Sequence, residues 1–220
     1  MKGVVFMSVN VKNAGNSQVA KVAMTRRIAV TAVFTALAVV LMYLEIQLPF
    51  MPPFLKFDFS EIPVLVGAFA LGPVNGVIIE LLKNLIHLPV TGSAGIGELS
   101  NFIVGSIFVF TAGSFYQKHT TRKGAIAAML IATAALTLAA IPLNYFVILP
   151  LYGKVLGFST EAIVGMSSAV NPLIKSKVTL IVFGFVPFNL FKGIVVSFVT
   201  FWIYKPVSSL IRITRKKTQA

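Results

Sequence analysis

A few polar side chains lie inside stretches of this sequence that are otherwise apolar, and they are where chemistry could occur. Asn189 and Lys192 stand three residues apart, so on a helix they project from one face. Pro187, just before them, frees a backbone carbonyl on the preceding turn. An ammonium, an amide and a loosened backbone together suit a planar, hydrogen-bonding solute. The competing reading pairs Lys192 with an acid inside the protein, where it would only hold helices together. Asn144-Tyr145 interrupts a second apolar run between Pro142 and Pro150. Asn144 could meet a ligand, or it could make an interhelical amide bond worth ~1 kcal/mol. A third run carries Glu80, Lys83, Asn84 and His87. The first two have the spacing of a helix-surface ion pair, and His87 follows Lys83 by four. That set admits a proton relay or a structural charge pair. Glu98 and Asn101 open a further helix, where a carboxylate suits the positive end of the dipole and needs no function.

Several chemistries have no residues to carry them. No G-x-x-x-x-G-K-[ST] loop, H-E-x-x-H pair or G-x-S-x-G elbow occurs. The two histidines, His87 and His119, lie on different segments, and the single aspartate, Asp58, falls in a loop. There is no cysteine for thiol catalysis or a sulfur-ligated metal. The expectation is a protein that binds without catalysing, needs no cofactor or metal of its own, and takes its energy from elsewhere.

The elements that must position these residues follow from composition. The chain has 220 residues, 57% hydrophobic and 11% charged, with a mean hydropathy of +0.90. Soluble domains carry about 25% charged residues, so too little polar material exists here to face water all round. The fold class expected is an all-α integral membrane protein. A span needs about 20 mostly apolar residues. Runs over Ile28–Leu44, Leu99–Gln117, Gly124–Gly153 and Val178–Ile203 meet or approach that length. Leu71-Gly72-Pro73 splits a fifth apolar stretch into two shorter helices, Ile62–Leu71 and Pro73–Leu88. Six transmembrane helices result. Strands are not expected, because barrel segments are short and alternating.

Most of the 19 basic residues fall in three acid-free places: before the first helix, between the fourth and fifth, and in the tail. Six helices put all three on one side, which makes both N- and C-termini cytoplasmic. The net charge of +13 is then topology and contact with anionic membrane lipids, not a nucleic-acid site. Met1–Ser8 is too short for a signal h-region and reads as a mobile or interfacial lead-in. One membrane domain covers 1–220: a basic lead-in over 1–26, a helix bundle over 27–204 and a basic cytoplasmic tail over 205–220. Two loops lie on the outer side. Glu45–Glu61 is rich in proline and phenylalanine, and Gly153–Lys177 holds a short helix over Thr160–Ser168 capped by Ser159. Either loop could be a lid, or its aromatics could belong to an interfacial belt. On the first helix Ala29, Ala32 and Ala36 recur at spacings of three and four. Small residues let another helix approach, either within the bundle or from a partner protein.

The order and spacing of several motifs resemble a known family. Leu55-Lys56-Phe57-Asp58-Phe59-Ser60-Glu61-Ile62-Pro63 followed by Gly67-Ala68-Phe69-Ala70-Leu71-Gly72-Pro73 is similar to the loop and second helix of riboflavin-specific S-components of energy-coupling-factor (ECF) vitamin transporters. Glu80-x-x-Lys83-Asn84, Gly97-Glu98-Leu99-Ser100-Asn101-Phe102, Pro142-Leu143-Asn144-Tyr145-Phe146 and Pro187-Phe188-Asn189-Leu190-Phe191-Lys192-Gly193 look like the same family, over roughly Arg27–Tyr204. The resemblance implies a six-helix substrate-binding subunit in a bacterial or archaeal cell membrane. It would pair with a transmembrane coupling protein (T-component) and two cytoplasmic ATPases, which alone would use ATP.

The resemblance also implies that riboflavin sits in the outer half, with its ring edge held by Asn144, Asn189 and Lys192. Tyr145 would lie beside it, and loop contacts would fall near Leu55 and Phe57. Ala32 and Ala36, with Ala29 on the same face, would meet the coupling protein. A flavin suits such a site: its faces are apolar, and its uracil-like edge presents carbonyls and an imide N–H that asparagine and lysine can match. One lysine is thin for a phosphate, so riboflavin is expected over its phosphorylated form. An S-component for another vitamin, such as biotin, thiamine or a queuosine precursor, would differ at the same polar positions. A stand-alone proton-coupled secondary transporter would instead rely on Glu80, Lys83 and His87.

Overall fold

The computed structural model describes residues 3–217, with side chains described at 21–204. The side chains of the lead-in before residue 21 and of the tail after residue 204 lie outside that range. Among the described residues, regular structure is helical apart from one two-residue strand pair. Seven helices follow one another: α1 Gly3–Met42, α2 Glu61–Leu71, α3 Pro73–His87, α4 Ile96–Lys118, α5 Arg122–Leu156, α6 Thr160–Ser168 and α7, which starts at Lys177 and runs to Lys217. Among the described residues, four stretches are long and apolar enough to cross a membrane: Lys21–Met42, Ile96–Lys118, Arg122–Leu156 and Lys177–Tyr204. α2 and α3, with 11 and 15 residues, are the two short helices expected from the sequence. The first span does not begin at Ile28, because helix continues upstream through Arg26 and Arg27, and Arg27 bonds Asn75 of α3 at 2.6 Å.

Local chemistry sets the boundaries. Gly72 takes φ +103°, a conformation glycine tolerates, and Pro73 then starts α3 at a position where its missing N–H costs nothing. Ser159 caps α6 by accepting from the Ala162 N–H, as its position foretold. Ser176 and Thr179 form a reciprocal capping box at the start of α7. The fifth span outlasts its expected end at Gly153 and closes at Leu156, where Gly157 at φ +71° turns the chain away.

Two long helices are not uniform. α5 opens into a π turn at Asn144–Ile148, between Pro142 and Pro150. α7 does the same at Ile181–Phe185, just before Pro187. The two π turns touch each other. Proline is tolerated inside membrane helices where neighbouring groups satisfy the freed backbone. The Asn171 amide supplies one such bond, reaching the Phe183 carbonyl at 3.5 Å.

The helices enclose two apolar clusters. The larger runs through α1, α2, α3, α4, α5 and the far half of α7, from Phe34 and Leu65 to Val196 and Tyr204. The smaller joins the 43–60 loop, α6 and the π-turn end of α7, from Leu55 and Phe57 to Phe185 and Phe188. The outward faces are apolar as well: Val33, Val40, Leu130, Leu138, Phe198 and Trp202 are exposed. Such a surface fits lipid rather than water. The proline-rich loop is more ordered than its composition announced. Ile46-Gln47 pairs antiparallel with Lys56-Phe57, a short strand pair not read from the sequence.

Candidate functional site

A cavity of about 460 Å³ lies between the two clusters, beneath the 43–60 loop. That volume is in the range of sites that take drug-sized ligands. Leu136 and Phe108 line it from the larger cluster, and Leu55, Phe185 and Phe188 from the smaller. Asn144, Asn189 and Lys192 all reach it, so three residues far apart in sequence converge. Leu55 lines it too. Phe57 and Tyr145 do not. Phe57 is buried edge-on against Phe59 and Phe191, at 4.9 and 5.5 Å between ring centroids. Tyr145 packs under the Lys177 ammonium, which sits 4.0 Å from its ring.

Each polar group has a defined bond and something left over. The Asn144 amide donates to the Ala140 carbonyl at 2.7 Å, and its buried Oδ1 has no partner. Asn189 donates to the Phe185 carbonyl at 2.8 Å. Each amide is therefore held by its own helix, next to a π turn, with its orientation fixed. π turns within α-helices occur often at functional sites. Lys192 Nζ donates to Asp58 Oδ2 at 3.2 Å and to Asn101 Oδ1 at 3.3 Å, and lies 3.6 Å from Glu61 Oε1. Both readings of Lys192 from the sequence therefore hold in one respect: it pairs with acids, and it lines the cavity. Burial alone would raise the Asp58 carboxyl. Lys192 and Lys83 nearby, with the Ser60 hydroxyl and N–H, outweigh burial and hold it below the ordinary carboxylate range.

Lys83 anchors the wall behind. Its ammonium is wholly buried and donates to Glu61 at 2.7 Å and to Ser60 Oγ at 2.8 Å, with Glu80 Oε2 at 3.0 Å. Asn84 adds a bond to Glu80 at 2.9 Å. Gly105 of α4 makes room, since a Cβ there would lie 2.6 Å from Glu80 Oε1. The charge pair expected at Glu80 and Lys83 is present. His87 does not continue it: its Nδ1 meets Glu98 at 2.8 Å, and its other nitrogen lies 3.8 Å from Glu45. Facing a carboxylate, that Nδ1 carries the hydrogen and donates. Glu98 also accepts from Thr91 at 2.7 Å and Ser93 at 3.2 Å, and this polar cluster lines the cavity mouth.

Asp58, Glu61, Glu98 and Asn101 all line the cavity, although none of them was read as part of a site from sequence. Asn101 could have been found by its place one turn after Glu98, the buried carboxylate at the start of the same helix. Asp58 and Glu61 carried no signal beyond being acids next to an apolar run. On the first helix, Ala29, Ala32 and Ala36 are exposed while Phe34, Thr35 and Ala38 are buried. The alanine face therefore does not pack inside this bundle.

The fold and site define a membrane protein that holds a small solute and carries no catalytic constellation among its described residues. Residues 26–204 match the family described as "ECF transporter, substrate-specific component". The chain is 34% identical over 187 residues to the riboflavin transporter RibU of Staphylococcus aureus (strain TCH60), covering 85% of this chain and 93% of that one. It is 33% identical over 177 residues to the riboflavin transporter FmnP of Bacillus subtilis (strain 168), covering 79% and 87%. A solved structure described as "Structure and mechanism of the S component of a bacterial ECF transporter" superposes with a TM-score of 0.68 at 32% identity, covering 86% of this chain and 98% of that one. The chain belongs to the substrate-specific components of ECF transporters. It is a multi-pass subunit of a prokaryotic membrane that associates with a coupling protein and ATPases, and it is not an enzyme.

The Lys83 cluster gives a test of the wall. Lys83→Met strands Glu61 and Glu80 without their shared cation, and breaking a buried pair this way costs about 3–5 kcal/mol. The melting temperature in detergent should fall steeply. An unchanged melt would mean that the cluster does not hold the bundle.

Proposed function

We propose that this S-component captures riboflavin from the outer side of the membrane for ATP-driven uptake by its partners, a T-component and two cytoplasmic ATPases. The observation that carries the reading is the convergence of Asn144, Asn189 and Lys192 on one cavity walled by phenylalanine and leucine. A flavin ring would lie between the apolar walls. Its uracil-like edge would meet the asparagine oxygens through the imide N–H and the Lys192 ammonium through a carbonyl. A ligand with a mismatched edge leaves buried polar groups unpaired, which makes such a site selective. The similarity to proteins named riboflavin transporters supports the same substrate.

The topology in this proposal has six membrane helices, α1 to α5 and α7, with both termini cytoplasmic and the cavity in the outer half. The basic residues of the lead-in, the α4–α5 turn and the tail support that orientation. The exposed Ala29, Ala32 and Ala36 face would be the docking surface for the coupling protein.

Riboflavin should quench its own fluorescence on binding the detergent-purified protein, and Asn189→Ala or Lys192→Ala should weaken that binding at least about tenfold, ~1.4 kcal/mol. Affinity unchanged in both variants would reject the site, and a wild-type protein that leaves the fluorescence untouched would reject riboflavin in favour of another vitamin. The same titration with the phosphorylated flavin should give weaker binding, because Lys192 already shares its charge with Asp58 and Glu61. Equal affinities would overturn that expectation. Ala32→Leu with Ala36→Leu should leave riboflavin binding intact and abolish co-purification with the coupling protein. Undiminished co-purification would move the docking surface elsewhere.

A further inference from the structure

Lys83 and Lys192 draw on the same group of acids, yet they are placed differently. Lys83 donates to Ser60 Oγ and Glu61 Oε1, has Glu80 Oε2 3.0 Å away, and has no exposure. Lys192 is 12% exposed, opens on the cavity and has two acceptors within hydrogen-bond reach, Asp58 Oδ2 and Asn101 Oδ1. An ammonium has three donors, so one N–H remains for a ligand. The direction of that last N–H depends on the two acceptors that take the others. They come from different elements, Asp58 from the loop that covers the cavity and Asn101 from the first turns of α4.

Asp58 is itself well anchored. Its Oδ1 accepts from the Ser60 N–H at 2.8 Å, forming a local turn at the entrance to α2, and the residue is buried. One carboxylate oxygen therefore fixes the side chain to its own backbone while the other holds Lys192, 134 positions away in sequence. A lysine side chain has four rotatable bonds and a strong rotamer entropy to lose. An unpaired lysine at a cavity wall would point its charge toward any water available. We propose that Asp58 is the positioning residue of the substrate site: with Asn101, it aims the free N–H of Lys192 at a single ligand carbonyl and neutralises the charge behind it. This rests on the reading above, in which Lys192 touches the substrate.

Asp58→Asn is the informative variant, because the amide keeps an oxygen for the Ser60 N–H and removes only the charge. Two readouts separate the possibilities. The first is riboflavin affinity in a double-mutant cycle with Lys192→Ala. Asp58→Asn should weaken binding about tenfold in the wild-type background and less than about twofold when Lys192 is already alanine. The second needs no ligand: the rate at which acetic anhydride acetylates Lys192 at fixed pH, read by peptide mass spectrometry. It should rise several-fold in Asp58→Asn, since the amine loses the partner that keeps it charged and held. Asn101→Ala, which leaves the 58–61 turn untouched, should move both readouts in the same direction, and it serves if Asp58→Asn fails to fold. Equal losses of affinity in both backgrounds, or an unchanged acetylation rate in both variants, would overturn the proposal. Faster acetylation in a protein that binds no riboflavin would instead overturn the flavin reading and support the positioning of Lys192.

Discussion

A charge taken out of water must be repaid by a partner, and in this bundle the constraint falls on Lys83. Its ammonium is wholly enclosed, and only because Ser60, Glu61 and Glu80 close on it is burial tolerable. Those partners come from the entrance to α2 and from α3, and Glu61 extends the network to Lys192 on α7. α4 contributes by what it lacks, since Gly105 leaves the space that the Glu80 carboxylate fills. One ionic knot thus fixes α2 and α3 against α4 and α7, and it forms the rigid wall on which the cavity stands. The knot does not need to be stabilising relative to an apolar core in order to do this. What it supplies is discrimination, because a packing that separated these charges would leave them buried and unpaired.

The opposite wall is shaped by irregular backbone. Pro142, Pro150 and Pro187 remove donors from α5 and α7, and both helices widen into π turns at the same place. Asn144 and Asn189 lie within or just after those turns, each tied to the carbonyl four residues back. Tying the amide nitrogen fixes where the oxygen lies, so each side chain offers an acceptor whose position is set before any ligand arrives. Pre-set groups of this kind lose little freedom on binding, which favours affinity for a small solute. The proline positions therefore help to shape the site as well as the course of the helices.

Much of this was legible in the sequence because it depends on periodicity and punctuation. The split at Gly72-Pro73 and the Ser159 cap are local properties, and they hold in three dimensions; Asn144, Asn189 and Lys192, conspicuous as polar residues in apolar runs, line one cavity. The strand pair across Ile46 and Phe57 was hidden, because two-residue strands in a proline-rich loop have no pattern of their own. Phe57 and Tyr145 were carried over from the family resemblance, which gives no side-chain direction; here both face the packing, Phe57 against Phe59 and Phe191 and Tyr145 under Lys177. Asn101 and Asp58 were assigned no part in a site for a different reason. They lie 91 and 134 positions from Lys192, and no spacing rule links residues that meet only when the loop and α4 come together.

The two buried lysines show why residue type alone does not give a role. Both stand in apolar helices, and each has an asparagine nearby in sequence, Asn84 after Lys83 and Asn189 before Lys192. By expense of burial both were costly, and in the sequence Lys192 read as the sharper ligand candidate and Lys83 as half of a charge pair. Their difference is one of enclosure: Lys83 has no exposure and three oxygens within 3.0 Å, two of them hydrogen-bonded, while Lys192 has two acceptors and opens on the cavity. An enclosed cation can only hold structure, since any ligand would have to displace a partner and leave it uncompensated. A cation with a donor to spare at a cavity wall remains incomplete until a ligand supplies the last acceptor. Asp58, Ser60 and Glu61, which between them serve both cations, belong to one short segment. The loop that covers the cavity and the wall that bears the load are therefore specified together.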